Sequence, residues 1–194
     1  MENEGDENRM IAPDHEKRVA ALVKIACESG ADNAAIVPVS DIQFRREFRA
    51  ACEQNLCGKF GRCWTCPPDV GDIDELIAKA KKYQYTLVFQ TIGELEDSYD
   101  IEGMEDASRK HNAILLKIEG EIAPALSDFL TLGAGGCQIC ERCAKMDEEP
   151  CRDPQKAIAS LEAHGIAVSD LAEAGGMKYI NGQNTVTYFG GFMF

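Results

Sequence analysis

Eight of the nine cysteines in the chain fall into two closely spaced groups of four. The first group reads C-x4-C-x5-C-x2-C and comprises Cys52, Cys57, Cys63 and Cys66. The second group reads C-x2-C-x2-C-x7-C and comprises Cys137, Cys140, Cys143 and Cys151. Three thiolates at successive three-residue steps converge on one small centre only when the backbone winds around it. The spacing predicts that all eight cysteines are metal ligands.

The spacing of the second group favours a 4Fe-4S cluster over zinc. Bacterial ferredoxins use C-x2-C-x2-C with a more distant fourth cysteine, and Cys151 is the corresponding residue here. Zinc ribbons instead separate two C-x2-C pairs by about 15 to 20 residues. The first group has uneven steps that suit either metal, although its Cys66-Pro67 ending modestly favours a cluster. We expect two 4Fe-4S clusters close together, with zinc as the alternative.

Disulfides explain these cysteines poorly, because their number is odd and no signal peptide is evident. The N-terminal sequence MENEGDENRM is acidic, whereas a secretory signal has a basic stretch followed by an apolar run. No apolar segment approaches the about 18 residues that a membrane-spanning helix requires. The sequence therefore predicts a cytoplasmic protein that does not contact a membrane, in a reducing compartment where free thiolates can bind metal.

The chain is acidic, with a formal net charge of −13. This charge makes nucleic acid an unfavourable ligand. The acidic run at residues 94–106 has two interpretations. It is either a docking surface for a basic redox partner or a solvated loop that leads into the N-terminus of a helix. We therefore expect a redox partner protein, and the apolar closing sequence TVTYFGGFMF predicts a strand that joins the sheet or a homodimer interface.

Helical and strand-like patterns alternate along the chain. Helices are predicted over residues 13–29, 41–52, 72–82, 108–122 (or from 102) and 154–165. Strands are predicted over residues 34–39, 84–92 and 129–132, and in the closing segment with an interruption at Gly190 and Gly191. This alternation predicts an α/β fold, a mixed sheet flanked by helices, with cysteine-rich loops that bind the metal. The length fits one domain over residues 1–194, with residues 1–12 disordered.

Several residues near the cysteines have two interpretations. Cys27 lies among the apolar residues of the first predicted helix, so we expect a small core residue and not a ninth ligand. Trp64 either shields a cluster from water or packs its loop onto the core. Gly133, Gly135 and Gly136 either let backbone N–H groups approach the cluster sulfurs or form an ordinary turn before Cys137.

The chain has no phosphate-binding loop, no dinucleotide-binding glycine motif and no nucleophile elbow, although a flavin site need not show a motif. The favoured function is therefore electron transfer to or within a partner oxidoreductase. One alternative is a small-molecule redox enzyme with an open iron at Cys52, Cys57 and Cys66. Another is a zinc-stabilised interaction module. The sequence does not indicate catalytic residues.

Two segments resemble a family of predicted metal-binding proteins of unassigned function, found largely in anaerobic bacteria and archaea. They are CGKFGRCWTCPPDVG at residues 57–71 and GCQICERCAKMDEEPCRDPQKAIASLEAHGIAV at residues 136–168. The resemblance covers most of the chain and implies metal binding in an anaerobic context, without implying a particular reaction. Similar sequences often lack the cysteine before the tryptophan. The resemblance therefore implies that Cys63 is the least secure ligand, and that a site without it is open to a substrate.

Overall fold

The computed structural model describes residues 13–194, so the predicted disorder of residues 1–12 lies outside the described residues. The helices of this part are α1 (Pro13–Ser29), α2 (Phe48–Glu53), α3 (Ile73–Ala80), α4 (Ile101–Ile122) and α5 (Val168–Ala174). The strands are β1 (Asn33–Pro38), β2 (Tyr85–Glu94), β3 (Leu130–Gly133), β4 (Ala159–Ser160) and β5 (Thr185–Met193). Among residues 13–194, no helix has both the length and the apolar character needed to cross a membrane.

The described strands form one mixed sheet in the order β1-β2-β5-β3-β4, which confirms the predicted α/β class. Its pairings are antiparallel except that of β3 with β4. The closing strand β5 lies at the centre of the sheet, where Phe192 pairs with Leu87 on one side and Thr131 on the other. The chain end is therefore part of the sheet, which was the first of the two predicted alternatives.

The glycines near the chain end do not interrupt β5, so that part of the prediction is wrong. A Cβ atom on Gly190 would lie 2.6 Å from the Phe89 ring of the neighbouring strand β2. The glycine therefore makes room for a large aromatic side chain within a continuous strand. The 34–39, 84–92 and 129–132 strand predictions correspond to β1, β2 and β3.

Helices cover both faces of the sheet. On one face, α1 and α4 pack against alternate residues of β2 and β5, and this core includes Leu22, Leu87, Phe89, Leu115, Ile118 and Phe192. On the other face, α5 and its neighbours bury a second core that includes Val37, Val88, Leu161, Ile166 and Leu171. Burial on both faces explains why β2 reads as a nearly continuous apolar run.

The helix predicted over residues 154–165 is absent from the described structure. Ser160 instead pairs with Gly133 in the parallel β3–β4 ladder, and residues Glu162–His164 form a 3-10 turn. Ile158 packs into the core beneath α1 and α4, whereas Leu161 packs into the core on the other face. Apolar residues with helical spacing are therefore buried on opposite sides of the sheet, because tertiary contacts override the local periodicity.

The predicted start of the second helix, at residue 41, is also wrong. Asp41 ends a 3-10 turn, Val39–Asp41, and α2 begins only at Phe48. Residues 42–45 between them are not helical, since Phe44 pairs with Ile166 in an isolated bridge and Arg45 N–H donates to the Gly165 carbonyl over 2.6 Å. A local pattern does not reveal such a contact between segments about 120 residues apart.

Cys27 is exposed on α1, so its predicted place in the core is wrong. Its neighbour Ala26 is fully buried, and one step along a helix turns the next side chain by about 100°, towards solvent. Cys27 is not among the residues that line the cavity or the cleft at the two cysteine groups.

The acidic run leads into a helix, as its second interpretation predicted. Asp100 caps α4, and its side chain accepts hydrogen bonds from Gly103 N–H (2.8 Å) and Glu96 N–H (3.1 Å). These bonds lower the pKa of Asp100, the bond from Gly103 contributing most. Arg109 pairs with Glu105 and Asp106 further along the helix. Docking of a partner on this run stays a prediction.

Candidate metal centre

The first cysteine group lies at the end of α2 and on the loop that follows it. Cys52 is half-buried in the last turn of α2 and Cys57 is exposed, whereas Cys63 and Cys66 are buried. The loop turns at Asn55, which has a φ of 53° and whose side chain accepts a hydrogen bond from Phe60 N–H. Of the four thiols, that of Cys66 is close enough to interact electrostatically with each of the other three. The thiols of Cys52, Cys57 and Cys63 therefore all lie within electrostatic range of Cys66.

Cys63 and Cys66 lie in one turn, in which Cys66 N–H donates to the Cys63 carbonyl over 3.0 Å. The neighbouring Cys66 thiol, together with the Thr65 hydroxyl and the N–H groups of Thr65 and Cys137, lowers the pKa of Cys63. The proximity of Cys63, together with burial, raises the pKa of Cys66. These contacts favour the thiolate form of Cys63, the form of cysteine that binds metal.

The second cysteine group surrounds one small cavity. Cys137, Cys140, Cys143 and Cys151 are all half-buried and all line it. The chain enters from β3 through a glycine turn, passes through the 3-10 turn Ala144–Asp147, and reverses at Glu148, which has a φ of 58°. Burial raises the pKa of Cys137, and the neighbouring Cys63 and Cys140 raise it further. The cavity is therefore lined by four partly buried thiols of one group.

The two groups adjoin each other. The cavity of the second group is also lined by Cys63, Trp64 and Thr65 of the first loop. Thr65 Oγ1 accepts a hydrogen bond from Cys137 N–H over 3.2 Å and lies 3.4 Å from Cys63 Sγ. A Cβ atom on Gly136 would lie 3.4 Å from Cys66 Sγ, so this glycine brings the second loop close to a sulfur of the first group. The approach of glycine N–H groups to cluster sulfurs stays a prediction.

Trp64 connects the two loops. Its Nε1–H donates to the Glu149 carbonyl over 3.0 Å, and the Lys145 ammonium lies 4.3 Å from the centre of its ring. Lys145 also pairs with Asp69 at 2.6 Å, and both side chains are mostly buried. Trp64 therefore packs the loops together and lines the cavity, so its two interpretations are compatible.

The donor chemistry at both groups fits a thiophilic metal, since sulfur ligands select zinc, Cu(I) or iron–sulfur clusters. Within residues 13–194, no three His, Cys, Asp or Glu side chains are arranged to hold one metal ion. Four thiolates on one zinc ion require sulfur atoms only about 3.8 Å apart, because each Zn–S bond is about 2.3 Å. The cysteines of a cubane cluster bind different iron atoms, so they stand further apart.

Comparison with known families agrees with the chemistry of these cysteines. A family model described as "Predicted metal-binding protein (DUF2284)" matches residues 35–194, which include both cysteine groups. The chain belongs to this family. The membership confirms the resemblance noted from the two cysteine motifs, as far as metal binding is concerned. Iron–sulfur binding and an anaerobic context stay predictions. No curated protein and no solved structure matches the chain.

A cleft of about 350 Å³ opens between the two groups. Cysteines of both groups line it: Cys57, Cys63, Cys137, Cys140 and Cys143. Lys59, Arg62 and Arg142 add positive charge, but Arg142 is already paired with Asp147. Lys59 and Arg62 form no ion pair within the described residues. The cleft therefore presents two unpaired cations beside the thiols of an acidic protein.

The sequence did not identify some residues near Cys52. Burial raises the pKa of the Cys52 thiol, and the guanidinium of Arg49 partly offsets this increase. Glu162 also interacts with Cys52, and its own pKa is raised by burial. Arg49 lies three residues before Cys52 on α2, so helical spacing is a signal for its proximity. Glu162 is more than 100 residues away, and no local pattern connects it with Cys52.

Proposed function

We propose that the protein binds 4Fe-4S clusters at its two cysteine groups and transfers electrons to or within a partner oxidoreductase. The observation that carries the proposal is the contact between the two groups at Cys63, Thr65 and Cys137. Electron tunnelling slows steeply with distance, so adjoining redox centres exchange electrons rapidly.

The arrangement of the thiols supports clusters over single zinc ions. The described residues contain no three ligands arranged for one ion, whereas all four cysteines of the second group face one cavity. Ligands to different iron atoms of a cluster need only face a common space. The spacing of the second group supports the same choice. We also propose a cytoplasmic location, where a reducing environment keeps the thiols free to bind metal.

The cluster would supply one-electron chemistry, and the surrounding residues would set its potential. The eight cysteines of the two groups would hold the iron. Trp64 and the packing of the two loops would limit the access of water to the cavity. Thr65 and the N–H of Cys137 would stabilise negative charge on Cys63. Hydrogen bonds to sulfur and exclusion of solvent are two of the factors that determine cluster potential.

The position of the acidic run supports docking of a basic partner near the second group. Gln138, next to Cys137, donates a hydrogen bond from its side chain to Ser108 Oγ over 2.8 Å. Ser108 lies on α4, two residues after the end of the acidic run. A basic protein attracted to this run would therefore approach the loop that carries Cys137.

Electron transfer is tested with protein purified and reduced without oxygen, using cytochrome c as a basic one-electron acceptor. We expect the visible absorption of the protein to bleach with dithionite and to return as cytochrome c is reduced. The rate should fall as salt increases, because salt screens the attraction between the proteins. Protein that contains clusters but reduces neither cytochrome c nor small dye acceptors would contradict the electron-transfer function.

A small-molecule redox enzyme is the second candidate, and the cleft between the groups favours it. A volume of about 350 Å³ is within the usual range for small-molecule sites. The unpaired Lys59 and Arg62 favour an anionic substrate. If an iron atom is open to this cleft, small carboxylates should change the electron paramagnetic resonance spectrum of the reduced protein, and Arg62→Gln should weaken the effect. A spectrum unaffected by such anions would eliminate this candidate.

A further inference from the structure

The hydroxyl group of Thr65 lies at the junction of the two cysteine groups. Thr65 is between Cys63 and Cys66 in the sequence, and its side chain is buried, with 8% of its surface exposed. Its Oγ1 atom lies 3.4 Å from Cys63 Sγ and 3.2 Å from the backbone nitrogen of Cys137. One atom therefore contacts a proposed ligand of the first group and the backbone of a proposed ligand of the second.

The direction of the two hydrogen bonds follows from the protons available when Cys63 is a thiolate. A backbone N–H can only donate, so Thr65 Oγ1 accepts the bond from Cys137. A threonine hydroxyl has one proton, which this bond leaves free. Among the described residues, the other hydrogen-bond partner of the hydroxyl is the sulfur of Cys63. A metal-binding thiolate has no proton to donate, so the hydroxyl donates to this sulfur while it accepts from the backbone of the second group.

We propose that Thr65 is a positioning residue that couples the two metal centres. The inference rests on the proposed binding of metal by these cysteines, but not on the identity of the metal. Without the hydroxyl, the sulfur of Cys63 loses one donor, and the N–H of Cys137 loses the acceptor that lies 3.2 Å from its nitrogen. Both centres should then hold their metal less tightly, although Thr65 is not itself a ligand.

The test compares Thr65→Val with Thr65→Ser. Valine keeps the shape of threonine without the hydroxyl, whereas serine keeps the hydroxyl without the methyl group. Protein purified without oxygen is mixed with a metal chelator, and the release of the bound metal is followed over time. We expect Thr65→Val to release the metal of both centres at least about ten times faster than the wild type does. Loss of a residue that hydrogen-bonds to a metal ligand usually has an effect of this size. Thr65→Ser should remain close to the wild type.

Thr86→Val is the matched control. Thr86 is fully buried in β2, and its Oγ1 atom makes no hydrogen bond within the described residues. The same chemical change at this position removes a buried hydroxyl that does not touch a cysteine group. We expect Thr86→Val to release metal at the wild-type rate. If Thr65→Val does not fold, Thr65→Ala removes the hydroxyl without putting a methyl group in its place.

Several results would overturn the inference. They are wild-type release from Thr65→Val, equally fast release from Thr65→Ser, and faster release from only half of the metal. A protein that binds no metal would overturn both this inference and the proposed function. Zinc-containing protein that shows the expected order of release rates would contradict the proposed iron–sulfur function alone.

Discussion

His111 on α4 is buried in its uncharged form, and this burial makes the stability of the fold depend on pH. Its ring stacks on Phe89 with a centroid distance of 5.0 Å, and Nδ1 forms a 2.8 Å hydrogen bond with Thr91 Oγ1. Burial lowers the pKa of His111 from 6.5 to about 4. The unfolded chain therefore binds a proton at a higher pH than the folded chain does, and acid favours unfolding.

This difference predicts a loss of stability as the pH falls from about 6.5 to about 4. The shift in pKa corresponds to at most about 3 kcal/mol of the free energy of unfolding. We expect urea unfolding of His111→Gln to depend less on pH in this range than unfolding of the wild type at equal metal content. Identical pH dependence in the two proteins would show that His111 is not responsible.

Cys137 and Cys27 differ in their surroundings and should differ in their effect on metal binding. Cys137 is half-buried with the second group, whereas Cys27 is exposed on α1. We expect Cys137→Ala to lose about half of the bound metal and to unfold more readily, because metal binding is coupled to folding. Cys27→Ala is the control and should keep the metal content and the stability of the wild type. Loss of metal from Cys27→Ala would show that the assignment of ligands to two groups of four is incorrect.

At the scale of elements, α4 depends on the cap at Asp100. The carboxylate accepts the Gly103 N–H, and its charge favours the helix N-terminus. We expect Asp100→Ala to lower the melting temperature by roughly 2 to 4 °C. Asp100→Asn keeps an acceptor and should lower it less. Equal melting temperatures for the wild type and Asp100→Ala would mean that the cap does not stabilise the helix.

Elements with local signals were predicted well, and elements made by distant contacts were not. The spacing of Leu22 and its neighbours predicted α1, and the apolar run of β2 predicted a strand. Strand β4 forms because Ser160 pairs with Gly133, more than 20 residues earlier. The local sequence around β4 has the apolar spacing of a helix, so it does not reveal the strand. The cysteine spacing predicts two groups of four ligands, and this division stays a prediction. The spacing did not reveal that Thr65 joins the groups, because a single hydroxyl leaves no pattern.

At the scale of the whole molecule, the central position of β5 predicts that the chain end determines stability. Phe192 is fully buried and packs against Phe89 and Phe129. We expect Phe192→Ala to lower the free energy of unfolding by about 3 to 5 kcal/mol, measured by chemical denaturation. Phe194 lies at the edge of this core, so Phe194→Ala should lower the free energy of unfolding less. A Phe192→Ala protein as stable as the wild type would contradict the central place of β5.

The proposed function depends on the identity of the metal at the two cysteine groups. The most direct measurement is the content of iron, zinc and acid-labile sulfide in protein purified without oxygen. Two 4Fe-4S clusters predict about eight iron atoms and about eight sulfides per chain. They also predict a brown colour that bleaches with dithionite. Colourless protein with stoichiometric zinc and neither iron nor sulfide, obtained under the same conditions, would contradict the central claim.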